Sequence, residues 1–218
     1  MYQNNKNAGY IKYQNMNEPG TGYVRFLHAV PAAIEVNVFA DDQLLADEIS
    51  FGEYNDYTPL QKGNYTITLY ETEMSGIPPE ALLTNSLEIT DDTFLTLAAA
   101  GTPESLSFLA IPDSDMPMAS GQSMVRFAHL SPNGPAVDIA LEDGTILFSN
   151  ISYKQITPYL AVPPMEYTLQ VRTAGTPNVV LTFPEAILVP DEMYTVYAIG
   201  LTGENPELEA IMLLDGRY

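Results

Sequence analysis

The side chains best suited to acid–base or metal chemistry in this sequence are two histidines and a large excess of carboxylates. His28 and His129 are the only histidines in 218 residues, and imidazole is the side chain whose ordinary titration falls between about pH 5 and 8. Both stand in the same setting, Val24-Arg25-Phe26-Leu27-His28-Ala29-Val30-Pro31 and Val125-Arg126-Phe127-Ala128-His129-Leu130-Ser131-Pro132. A functional role would make each a ligand or a general base. Parity along an extended strand instead places His28 with Val24 and Phe26, facing inward, where its ring is expected to bond a nearby turn and fix the Pro31 corner. Arg25 and Arg126 have the opposite parity. They are expected as ion-pair donors on an acidic surface, worth about 0–1 kcal/mol each where exposed.

The 28 Asp and Glu residues are too numerous for any one pair to stand out as a glycosidase dyad. There is no Gly-x-Ser-x-Gly elbow, no His-Glu-x-x-His and no glycine-rich phosphate loop. With no cysteine, thiolate catalysis, thiolate zinc sites and disulfides are all excluded. No catalytic residue is assigned, no cofactor is expected, and the chain is expected not to be an enzyme. Calcium is the one candidate ion. Asp113-Ser114-Asp115 lies between the two repeats described below, and hard cations favour oxygen ligands brought together by loops. The segment lacks the Asp-x-Asp-x-Asp-Gly spacing, and solvated turns explain such carboxylates equally well.

The elements that must position these residues read as short strands. The two histidine motifs are separated by 129 − 28 = 101 residues, and the register continues: Val36-Asn37-Val38 answers Val137-Asp138-Ile139 and, one insertion later, Tyr65-Thr66-Ile67 answers Tyr167-Thr168-Leu169. Each copy is about the size of a small autonomous domain. Apolar residues recur with period two, as in Tyr65, Ile67 and Leu69 against Thr66 and Thr68, which argues for half-buried strands. Further strands are expected over Tyr23–Ala29, Glu35–Ala40, Leu44–Ile49, Leu82–Ile89, Thr93–Ala100 and Ser105–Ile111. About seven strands per copy, punctuated by turn residues, predict an all-β fold of two tandem antiparallel β-sandwiches. The expected organisation is an extended amino-terminal tail (1–22), a first sandwich (23–111), a linker (112–123) and a second sandwich (124–218).

The pattern Val-Arg-Phe-x-His-x-x-Pro, followed by Val-Asn-Val or Val-Asp-Ile and an acidic turn, resembles the family known as domain of unknown function 4397, found mostly in bacterial surface and envelope proteins. Copy two is the closer match, with Arg126, His129, Ser131, Pro132, Asp138 and Asp143-Gly144. Copy one departs from it at Asn37 and at Asp42-Gln43. The resemblance implies that each copy is an immunoglobulin-like antiparallel β-sandwich in an envelope setting, and it implies no activity. Leu60 to Thr66 is also similar to a turn and strand of adhesin repeats, some of which carry a Lys–Asn cross-link. The only lysines are Lys6, Lys12, Lys62 and Lys154, and the first strands offer none.

Charge narrows the partners. Eight basic against 28 acidic residues give −20 and a pI near 4.1, which repels nucleic acid and anionic membranes. No apolar run approaches the ~18 residues of a membrane span, and the amino terminus lacks the pattern of a secretory signal. The expected role is a structural subunit of a cell- or spore-surface assembly, with a cytoplasmic location as the alternative. Tail residues Ala8 to Gln14 alternate as a strand, so Tyr10, Ile11 and Tyr13 are expected to dock on an open sheet edge of a second copy, giving a head-to-tail homopolymer. The alternative is a module for a surface glycan or another envelope or host ligand, with Tyr54, Tyr57, Tyr153 and Tyr159 as an aromatic platform. A hydrolase with an unrecognised carboxylate site is a third reading.

Overall fold

A computed structural model describes residues 19–31, 33–72, 80–113 and 120–216. Every regular element among them is a strand. The first domain contains β1 (Thr21–His28), β2 (Val36–Ala40), β3 (Gln43–Ile49), β4 (Thr58–Gln61), β5 (Gly63–Glu71), β6 (Ala81–Ile89), β7 (Phe94–Thr102) and β8 (Ser105–Asp113). The second repeats them as β9 (Ser123–His129), β10 (Val137–Leu141), β11 (Ile146–Ile151), β12 (Leu160–Val162), β13 (Glu166–Thr173), β14 (Val179–Ile187), β15 (Met193–Ile199) and β16 (Glu209–Asp215). Each domain pairs a sheet of order β4-β1-β7-β8, or β12-β9-β15-β16, with a second sheet of order β3-β2-β5-β6, or β11-β10-β13-β14. The chain is therefore all-β and made of two sandwiches. Each contains one parallel pair, β1 with β7 and β9 with β15, an exception to the expected antiparallel pairing. The intervening strands cross to the other sheet and back, and that long connection lets the chain re-enter in the same direction.

Each sandwich has its own core. Val24, Phe26, Val38, Leu69 and Leu97 fill the first, and Phe127, Ile139, Val171 and Val196 fill the second. A third cluster joins them: Leu27, Ala98, Ala100 and Ile111 of the first domain lie with Ala128, Leu130, Tyr197, Ile199 and Leu213 of the second. The β1/β7 sheet and the β9/β15 sheet thus meet across the joint, and the other two sheets lie outermost. This stacking explains why all eight residues of β1 and all seven of β15 are buried. A central strand covered on both faces loses the polar alternation seen in β5.

The second residue of β2 and of β10 holds a bulge in the next strand. Asn37 Oδ1 accepts the Glu48 amide at 2.6 Å, and Asp138 Oδ1 accepts the Asn150 amide at 2.7 Å. Glu48 and Asn150 both have positive φ, 50° and 55°, so the side chain secures a backbone shape that few residues favour. Asp91 and Asp191 likewise accept the amides of Gly20 and Gly121, each at 2.7 Å, anchoring the start of β1 and β9. These carboxylates build turns.

Candidate functional site: the charged joint between the domains

Arg25 and Arg126 come together in the molecule, in contrast to the surface positions expected of them. Strand parity turns both side chains away from their own domain core, but that face is covered by the other domain. Both are buried, at 4% and 5% exposure. Arg25 donates from Nη2 to Asp215 Oδ1 at 2.5 Å and from Nη1 to the Leu214 carbonyl at 2.6 Å. Arg126 reciprocates, with Nη2 to Asp113 Oδ1 at 2.6 Å and Nη1 to the Pro112 carbonyl at 2.8 Å. Each Nε donates at 2.7 Å to a threonine of its own domain, Thr96 or Thr195. The remaining oxygen of Asp113 accepts from Tyr57 and Thr96, both at 2.6 Å, and that of Asp215 accepts from Tyr159 at 2.9 Å and from Thr195. The Tyr57 and Tyr159 rings lie against the guanidinium groups, 4.8 and 4.4 Å from their centroids.

Two guanidinium and two carboxylate groups cancel in charge, and the set is closed on itself by a pseudo-two-fold relation between the domains. Burial opposes the charge on Arg25, but the carboxylates of Asp113 and Asp215 hold its pKa above the ordinary arginine value. Burial and the neighbouring Asp113 push the Asp215 carboxyl up to about 6, against the pull of Arg25 and Arg126. Burial also raises Tyr57 and Tyr197 well above the ordinary tyrosine value, so both remain neutral. Buried ion pairs gain little net stability over well-packed apolar residues, yet removing one partner is costly. The joint therefore dictates how the domains meet more than it adds to their stability.

Asp113, read from sequence as a hinge ligand, ends β8. It is buried, and both of its oxygens accept hydrogen bonds from protein donors. Asp115 lies outside the described residues, as do Tyr10, Ile11 and Tyr13. Among the described residues no group of three or more His, Asp or Glu side chains is arranged to hold a metal.

His28 and His129 face their own domain cores, as their parity requires. His28 Nδ1 accepts the Val30 amide at 3.3 Å, which leaves Nε2–H to donate to the Ile34 carbonyl at 3.1 Å. His129 Nε2 meets the Pro135 carbonyl at 3.0 Å. Burial lowers both pKa values. Each ring braces the loop that leads into the next strand.

The tyrosines do not form the expected platform. Tyr57 and Tyr159 belong to the joint, Tyr153 is half-buried with its ring edge-on to His129, and Tyr54 alone is well exposed, at 48%. A cavity of about 310 Å³ sits at the β15–β16 connection and is lined by Val180, Leu201, Thr202, Glu204, Asn205 and Glu207. The equivalent β7–β8 turn, between Thr102 and Ser105, is much shorter.

The fold and the reciprocal joint define a duplicated β-sandwich whose two copies are bound face to face. Residues 22–140 and 135–217 match the family model described as domain of unknown function (DUF4397), and the chain belongs to that family as tandem copies. No curated protein matches it. Among solved structures, one described as alpha-glucan binding by a streptococcal virulence factor aligns over 84% of this chain and 94% of its own, at 12% identity and a TM-score of 0.25.

Proposed function

We propose that the chain is a non-enzymatic structural subunit of a bacterial cell- or spore-surface assembly, a rigid two-domain block that self-associates head-to-tail through its amino-terminal tail. The observation that carries this reading is the joint. The arginines that the duplication keeps in register, Arg25 and Arg126, bind Asp113 and Asp215 to lock one domain against the other. A block of fixed geometry is what a repeating assembly requires, since any flexing between domains would blur the repeat. Strand addition also needs an open edge, and β6 supplies one. It lies at the rim of its sheet and is nine residues long, with neither proline nor a positive-φ residue to blunt it. By contrast β14, its counterpart, contains Pro184 and a positive φ at Glu185. The tail carries Lys6 and Lys12 against Glu18, on a chain of −20 overall, so charge favours its approach to a second copy.

Negative-stain electron microscopy of the full chain and of a chain lacking residues 1–18, which leaves β1 from Thr21 and its Gly20 anchor intact, tests the proposal. Ordered particles from the full chain, lost on deletion with unchanged β-type circular dichroism, are expected. Equal assembly by both chains would remove the tail from the mechanism, and a full chain that stays monomeric at high concentration would overturn the proposal.

A further inference from the structure

The charged residues of the joint are repeated faithfully in the two domains, but the apolar residues around them are not. Arg25, Thr96 and Asp113 have equal counterparts in Arg126, Thr195 and Asp215, so the ion pairs alone would let either domain pair with a copy of itself. Register identifies the positions that differ. Leu27 pairs with Ala98 across β1 and β7, whereas Ala128 pairs with Tyr197 across β9 and β15. One step further along the same faces, Ala100 stands where the second domain has Ile199. At three positions one domain is large where the other is small: Leu27 against Ala128, Ala98 against Tyr197, Ala100 against Ile199, whereas Ile111 and Leu213 are alike in size. The six unlike residues all belong to the single buried cluster of the joint, none above 0% exposure. Tyr197 is fully buried in this cluster together with Leu27, Ala98 and Ala100 of the first domain.

We propose that this face is heterotypic: the second domain recognises the first and rejects a second copy of itself, with the Ala98–Tyr197 pair as the main determinant. Two copies of the second domain would bring two Tyr197 rings to a place that holds one ring and one methyl group, and overpacked cores are destabilised. Two copies of the first would leave only methyl groups there, a void with lost contacts. The symmetric charges set the orientation, and the asymmetric volumes choose the partner. In an assembling protein this device keeps the pairing face occupied within each chain, so that growth proceeds through another surface.

The intact chain gives the first test. Ala98→Tyr and Tyr197→Ala should each lower the melting temperature by several degrees, and the double variant, which moves the ring to the other side of the joint, should recover a substantial part of the loss. A double variant whose loss equals the sum of the single losses would overturn the proposal. The second test cleaves the full chain at a protease site inserted within 114–119 and mixes isotopically labelled with unlabelled protein. Native mass spectrometry should show the halves exchanging only as unlike pairs, with like pairs of the second domain appearing for Tyr197→Ala. Like and unlike pairs in equal abundance for the unsubstituted chain, or halves that separate on cleavage, would refute it.

Discussion

Replacing Arg25 with methionine keeps a similar length of apolar stem and deletes one of the two positive charges in the joint. Three hydrogen bonds disappear, to Thr96, to the Leu214 carbonyl and to Asp215. Asp113 and Asp215 then share only Arg126, which leaves the buried set one negative charge in excess. Removing one partner of a buried pair costs about 3–5 kcal/mol, and that is the loss expected at pH 7.5. The deficit should shrink on acidification. Burial and Asp113 already push the Asp215 carboxyl up to about 6 with Arg25 in place, and without Arg25 it must rise further. A carboxyl whose folded pKa exceeds its unfolded value of about 3.9 contributes stability that is present at low pH and lost as pH rises through the folded pKa. The variant therefore recovers on acidification from a higher pH than the parent, and the gap between them narrows by pH 5. Urea unfolding followed by far-ultraviolet circular dichroism at both pH values measures this. Arg25→Met with Asp215→Leu, which removes both charges, should regain most of the loss. A deficit below about 1 kcal/mol, or one that is the same at pH 7.5 and pH 5, would show that no buried ion pair joins the domains.

Burial lowers the His28 and His129 pKa values, so the unfolded chain binds more protons below about pH 6.5 and stability falls as pH drops beneath it. Replacing both by glutamine should flatten the slope of stability between pH 6.5 and 5 relative to the parent, and an unchanged slope would place the rings in solvent. A Cβ on Gly134 would lie 2.8 Å from His129 Cε1, so Gly134→Ala should cost about 1–3 kcal/mol, measured by thermal unfolding. Asp138 accepts the amides of Asn150 and Gly175, at 2.7 and 2.8 Å. Asp138→Ala should therefore cost about 1–3 kcal/mol and speed hydrogen exchange at those two amides ahead of the rest of the domain.

The fold was legible because strand periodicity and a duplication whose offset shifts by a single insertion reinforce each other, from Val24 through Tyr65 and their counterparts. The histidines were legible for the same reason, since parity alone assigns them to the core face. Arg25 and Arg126 were misplaced because parity names a face without saying what covers it. A signal was present: Phe94-Leu95-Thr96-Leu97-Ala98-Ala99-Ala100 is apolar on both faces, as a strand between two layers must be. Asp113 and Asp215 were missed as partners because each follows the strand taken to end at Ile111, or its repeat, and a carboxylate beside Pro112 or Gly216 reads as a turn. Strand β4, Thr58–Gln61, was missed because Pro59 demotes so short a segment, though an edge position accommodates it.

Assembly through the tail is open to light scattering with a competing peptide. The molar mass of the full chain should rise with concentration in multiples of 23.9 kDa, and a synthetic peptide of residues 1–22, added in excess, should return it toward that of one chain by occupying the acceptor edge. A mass that stays at one chain over the whole concentration range, or assemblies that the peptide leaves intact, would contradict the account.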